Sequence, residues 1–191
     1  MRSAGAFRDR GSGSPGRLRR GEWRGQGTEC GGSAYPAAVQ GPQDFEDIRN
    51  TGTQLSFATQ DDSSSAFSIP FPFYFYGELK TDGLASTNGY ATFGTSGTTF
   101  TNTAIPTTAV PNDSLYVLWD DLHLRTTGTV HVQELGTAPY RRFIIQWTDM
   151  DQFSPSNPSN RMTFQIKLFE GSNCIEYHYL NIIPETPAGD Y

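Results

Sequence analysis

Trp119-Asp120-Asp121-Leu122 sets two carboxylates side by side directly after an apolar run, Leu115-Tyr116-Val117-Leu118-Trp119. A pair of acids at the end of a buried strand can ligate a hard cation such as Ca²⁺, which gathers roughly six to eight oxygens from several loops. Asp61-Asp62, Asp149 and Asp151 are the other acids that could complete such a shell. Asp120 and Asp121 are therefore the candidate metal ligands, with a structural Ca²⁺ as the ion. A second reading has one of them cap a turn while the other is solvated.

Catalysis by the same pair is a weaker reading. The acid and nucleophile of a glycosidase stand on opposite sides of the scissile bond, roughly 5–9.5 Å apart, whereas neighbours on one strand point to opposite faces. No Gly-x-Ser-x-Gly elbow and no phosphate-cradling glycine loop occurs, and His123, His131 and His178 are scattered singly, without metal-type spacing. The chain reads as a non-enzyme with no catalytic residue and no cofactor. Tyr74, Tyr76, Tyr90 and Tyr140 could stack on a sugar or a partner protein, although most aromatics of an all-β domain are core. Asn88-Gly89 reads as a turn or bulge rather than a ligand site.

The elements that must position these residues are short strands divided by Gly, Pro, Asn, Asp and Ser. The pattern predicts strands near Gln54–Ala58, Phe67–Tyr76, Leu84–Phe93, Leu115–Trp119, Thr129–Glu134, Arg141–Thr148, Met162–Glu170 and Cys174–Asn181. The fold class is all-β, an antiparallel sandwich of about eight or more strands with little or no helix. Met162, Phe164, Ile166 and Leu168 should face the core while Gln165 and Lys167 face water. Glu170-Gly171-Ser172-Asn173 should turn that strand into a hairpin with the next. Leu115–Trp119, lacking polar alternates, reads as a central strand covered on both faces. Pro70 and Pro72 cannot donate to a ladder, so their strand should begin at an edge or turn the prolines outward.

Seven of the fourteen basic residues fall in the first forty positions, with nine glycines and few aliphatics, but only three of the twenty acids do. Residues 1–43 read as a disordered Arg/Gly-rich tail or a mispredicted start, and 44–191 as the sandwich domain. The acidic body would repel phosphate backbones, so nucleic acid is excluded as its partner. No stretch approaches the roughly 18 apolar residues of a membrane span, and no basic patch followed by an apolar run marks a signal peptide. Cys30 and Cys174 read as a stray thiol and a small buried residue rather than a disulfide.

Several motifs in order resemble one family. They are Pro70-Phe71-Pro72-Phe73-Tyr74-Phe75-Tyr76-Gly77, Ser86-Thr87-Asn88-Gly89-Tyr90 leading into Phe93-Gly94, Leu118-Trp119-Asp120-Asp121-Leu122, Gly128-Thr129-Val130, and Arg142-Phe143-Ile144-Ile145-Gln146-Trp147. Together they resemble a bacterial extracellular all-β module related to the nidogen-like and plexin-type domains, over about Phe45 to Ile183. The resemblance implies a non-catalytic adhesion, matrix or scaffolding module of a larger secreted or cell-surface protein, with an extracellular protein or glycan as partner. The alternative is an accessory carbohydrate-binding domain appended to a secreted enzyme, and a third reading is a hydrolase using Asp120 or Asp121. The family continues with a further strand, so the domain is expected to be truncated at its C-terminus.

Overall fold

The computed structural model describes residues 45–153 and 161–182. Ten strands run in chain order as β1 (Thr53–Gln54), β2 (Ser64–Phe75), β3 (Glu78–Ser86), β4 (Tyr90–Thr92), β5 (Ser114–Tyr116), β6 (Leu122–His123), β7 (Thr129–Leu135), β8 (Arg142–Gln152), β9 (Met162–Phe169) and β10 (Ile175–Asn181). They form two antiparallel sheets. One has the order β1-β7-β8-β9-β10, with β6 pairing the end of β8, and the other has the order β2-β3-β4-β5. The all-β sandwich expected from the strand pattern is thus the fold, and no helix occurs among the described residues.

Alternation writes the core. On β2, Phe67, Ile69, Phe71 and Phe73 are buried while Ser68, Pro70, Pro72 and Tyr74 are exposed. They meet Phe143, Ile145, Trp147, Phe164, Ile166 and Leu168 of the facing sheet. Phe67 lies against Phe143 at 5.7 Å between centroids, and Trp147 stacks on Phe164 at 5.4 Å. Each such side chain contributes about 1.5–3 kcal/mol on burial. The Trp147 indole N–H donates to the Ser86 carbonyl at 2.8 Å, so the largest core residue also fixes one sheet against the other. The prolines of β2 face outward on an edge strand, as expected, and the β2–β3 register breaks between Ser68 and Phe73, where Pro70 and Pro72 have no N–H to give.

Three expectations need correction. Leu84–Phe93 is two strands, β3 and β4, separated by a turn at 87–89. Leu115–Trp119 is not a central strand: only Ser114–Tyr116 pairs, at the edge of its sheet, and the chain then leaves the ladder toward the acidic pair. The largest departure is on the outer face of β8 and β9. Met162, Phe164, Ile166 and Leu168 line the core as expected, but Gln165 and Lys167 do not face water; they are 0 % and 4 % exposed.

The cover is the segment 45–49, laid across that face as a strap. Ile48, 1 % exposed, donates its backbone N–H to Gln146 Oε1 at 2.9 Å. Gln165 Nε2 donates to the Glu46 carbonyl at 3.1 Å and to Gln146 Oε1 at 3.3 Å, and Gln146 Nε2 reaches Asp47 Oδ1 at 2.7 Å. Glu46 accepts from Arg142 Nε at 2.6 Å and from Lys167 Nζ at 2.9 Å. A buried amide or ammonium is costly unless paired, and here the pairing comes from residues about a hundred positions away. Cys174 is a further correction, since it is disulfide-bonded; Cys30, the other cysteine of the chain, lies outside the described residues, as do 1–43 and the C-terminal end.

Candidate functional site

The acidic end of the sandwich is organised by the Ser86-Thr87-Asn88-Gly89 turn between β3 and β4. Gly89 adopts φ +70°, and a Cβ there would stand 2.0 Å from the Leu118 carbonyl oxygen, so only glycine lets the 117–122 segment approach. Leu118 N–H in turn donates to the Gly89 carbonyl at 2.9 Å. Asn88 is fully buried and faces two ways. Its Nδ2 donates to Asp62 Oδ1 at 3.0 Å, and its Oδ1 accepts from the Leu122 N–H at 3.1 Å. Thr87 N–H donates to the Ser63 carbonyl at 2.8 Å, and Ser63 N–H to Thr87 Oγ1 at 3.0 Å. One turn thereby holds the loop at 59–63 and the loop at 117–122 side by side.

The consequence is a trio, Asp61, Asp62 and Asp121, whose ligand oxygens all lie within 4.8 Å of one another. Three carboxylates this close repel. Burial, then Asp61, Asp62 and Asp120, push the Asp121 carboxyl up to about 6, and Asp61 Oδ1 is buried with no hydrogen-bond partner among the described residues. A divalent cation would relieve all of this, and hard oxygen donors suit Ca²⁺.

Of the two expected ligands, only Asp121 joins the trio. Asp120 stands beside it as a turn cap: its Oδ1 accepts from the Asp121 N–H at 2.9 Å and its Oδ2 from Gln152 Nε2 at 3.1 Å. Asp149 is spent on Arg49 at 3.3 Å and Asp151 on Arg125 at 3.5 Å, so neither completes the shell. Asp61 and Asp62 were among the acids named as possible contributors, and Asn88-Gly89 is the turn that its Asn-Gly pair suggested; what the pair did not reveal is that Asn88 positions Asp62 and the Leu122 backbone.

The aromatic candidates divide. Tyr90 is core, 0 % exposed, packed edge-on to Trp119 at 6.1 Å with its hydroxyl accepting from the Thr99 N–H at 3.0 Å. Tyr74, Tyr76 and Tyr140 are exposed, Tyr76 at 92 % and Tyr140 at 83 %. Tyr76 meets Phe75 at 66°, so this pair is not a flat stacking platform. Tyr76 instead rims a cavity of about 510 Å³ with Phe75, Ile105, Pro106, Asp113 and Tyr116.

Comparison with curated proteins and with solved structures returned no match in either case. A family model described as NIDO related matches residues 35–190, a span that takes in both sheets, the Asn88 turn and the acidic trio. The chain belongs to the NIDO-related family.

Proposed function

We propose that this chain is a non-catalytic adhesion or scaffolding module of an extracellular or cell-surface protein. The observation that carries the reading is the disulfide at Cys174, because disulfides persist in oxidising, extracytoplasmic compartments and are rare where thiols are kept reduced. The NIDO-related family supports an extracellular type of module. Among the described residues no helix is long and apolar enough to cross a membrane. Exposed Tyr76 and Ile105 beside the 510 Å³ cavity are the kind of rigid apolar contacts that partner surfaces use.

The alternative, an accessory carbohydrate-binding domain reading sugars on a flat aromatic face, draws no support from the edge-on Phe75–Tyr76 pair. The adhesion reading is tested by protease shaving of intact cells that make the protein. Peptides from residues 45–182 should be released without lysis, and beads coated with the domain should be retained on matrix-coated surfaces. Peptides recovered only after lysis would overturn the extracellular placement, and beads that never exceed an uncoated control would overturn adhesion.

A further inference from the structure

The strap over β8 and β9 continues through a turn at 48–52 into β1, and His131 of β7 lies beneath that turn. The residue is 6 % exposed. Across the ladders it stands opposite Gln54 of β1 and Gln146 of β8. Gly52 passes so close that a Cβ there would sit 3.3 Å from the His131 Cβ and 3.0 Å from the Ile48 and Val132 carbonyl oxygens. The Gly52 N–H donates to the Ile48 carbonyl at 2.7 Å, which closes the turn, and Thr51 Oγ1 fastens it to Gln133 Oε1 at 2.8 Å.

The ring is enclosed without a full set of partners. His131 Nδ1 is buried and makes no hydrogen bond among the described residues. A neutral imidazole has one N–H to place, whereas an imidazolium has two, and a buried charge lacking acceptors costs far more than a buried neutral ring. The charges that act on the ring come from the strap, as Arg49 and Asp47; Gln54, Gln133 and Gln146, from β1, β7 and β8, are neutral. Asp47 is already engaged, its Oδ1 accepting from the Arg49 N–H at 3.0 Å and from Gln146 Nε2 at 2.7 Å. Arg49 is held over the face by Asp149 of β8 at 3.3 Å. Burial and then Arg49 outweigh the attraction of Asp47, and together they hold the ring below its ordinary value of 6.5.

We propose that the strap and the turn at 48–52 are a pH-operated cover: protonation of His131 lifts them from β7 and β8 and uncovers the Gln146, Gln165 and Lys167 face that they keep dry at neutral pH. The uncovered ring takes a proton at its ordinary value and the covered ring only below it, so the open state binds more protons. Docking is therefore at full strength above about 6.5 and weakens as pH falls from there toward the covered ring's lower value. Glu46 and Asp47 do not act in that window, because their carboxyls are held below 4.5 and 3.8. Asp121, pushed up to about 6, does titrate there, but a raised carboxyl favours the folded state as pH falls, the opposite sign. The device goes beyond the module reading and does not depend on it.

The test is amide exchange of the full chain from pH 7.5 to 5, each rate divided by that of the same amide in an unfolded chain. Protection of the Ile48 and Gly52 N–H groups, both bonded in the docked strap and turn, should fall below pH 6.5 by up to about tenfold per pH unit, the slope of one linked proton. Protection along the Ile145–Ile166 ladder of β8 and β9 should hold. His131→Gln should abolish the fall, and Glu46→Gln should retain it. Flat protection in the wild type, an equal fall in His131→Gln, or an equal fall in the core ladder would overturn the proposal. If His131→Gln does not fold, the ring proton resonances of the wild type decide: a His131 that titrates below 6.5 supports the cover, and one that titrates at or above 6.5 overturns it.

Discussion

At the scale of single residues, the acidic trio is held in place by two residues outside it, Asn88 and Gly89. Asn88 pins Asp62 and Leu122, and Gly89 admits the Leu118 carbonyl where any Cβ would collide. If the trio holds Ca²⁺, mass action stabilises the folded state. Millimolar Ca²⁺ should then raise the melting temperature of the wild type and do nothing for Asp121→Asn. In chelator the order reverses: removing one of three mutually repelling carboxylates should stabilise by about 1 kcal/mol once solvent screening is allowed for. A wild type indifferent to calcium removes the metal and leaves the trio as a local electrostatic cost. Gly89→Ala, forcing a φ of +70° on an L side chain and displacing Leu118, should cost about 2 kcal/mol or more and abolish any calcium response as well. An Ala variant that keeps both stability and response would mean that the turn does not position the loop. Asp120 and Asp121 were legible as a pair from their place after an apolar run. Which of the two joins Asp61 and Asp62 was not, because that depends on a turn formed by residues 86–89.

At the scale of elements, the strap over β8 and β9 changes what a polar face means. Alternation along β9 marks Phe164 as inward and Gln165 as outward, and outward normally means wet. Here the outward side is covered, so Phe164→Ala should cost about 3–5 kcal/mol as a core truncation. Gln165→Ala should also cost about 1–3 kcal/mol, because Glu46 and Gln146 lose a buried partner. Urea unfolding of both variants decides it, and a silent Gln165→Ala would mean that the strap is not docked in solution. The clamp at its head has a pH signature. The Arg142 guanidinium, against the opposing effect of burial and with Lys167 beside it, holds the Glu46 carboxyl down to about 2. A carboxylate with a lowered folded-state value contributes stability above its ordinary value near 4.5, and loses it as pH falls from there toward 2. Between pH 5 and pH 2 the wild type should therefore lose about 1–2 kcal/mol more than Glu46→Gln, after allowance for the partial exposure of the pair. Parallel acid limbs for the two proteins would count against the clamp.

At the scale of the whole molecule, the sandwich is held by its core, and Cys174 is disulfide-bonded. Reduction, or Cys174→Ser, should lower stability by about 2–4 kcal/mol, with the Ser variant no longer responding to reductant; a melting temperature untouched by reductant would leave the link without a stabilising role. The amino-acid sequence by itself determined the class of fold, because side-chain alternation with period two fixes which residues a sheet must bury. It determined the β9–β10 hairpin from Glu170-Gly171-Ser172-Asn173, and the outward prolines of β2, because turns and missing N–H groups act locally. Its ordered motifs also pointed to the nidogen-like relationship that the NIDO-related match over residues 35–190 bears out. Only the tertiary structure decided that Tyr90 is core rather than a binding ring and that Leu115–Trp119 runs to an edge. The same holds for the dry outer face of β9, the disulfide at Cys174, and the meeting of Asp61 and Asp62 with Asp121. Each of these depends on what a segment distant in the chain brings alongside. A local pattern says which way a side chain points but not what lies in front of it.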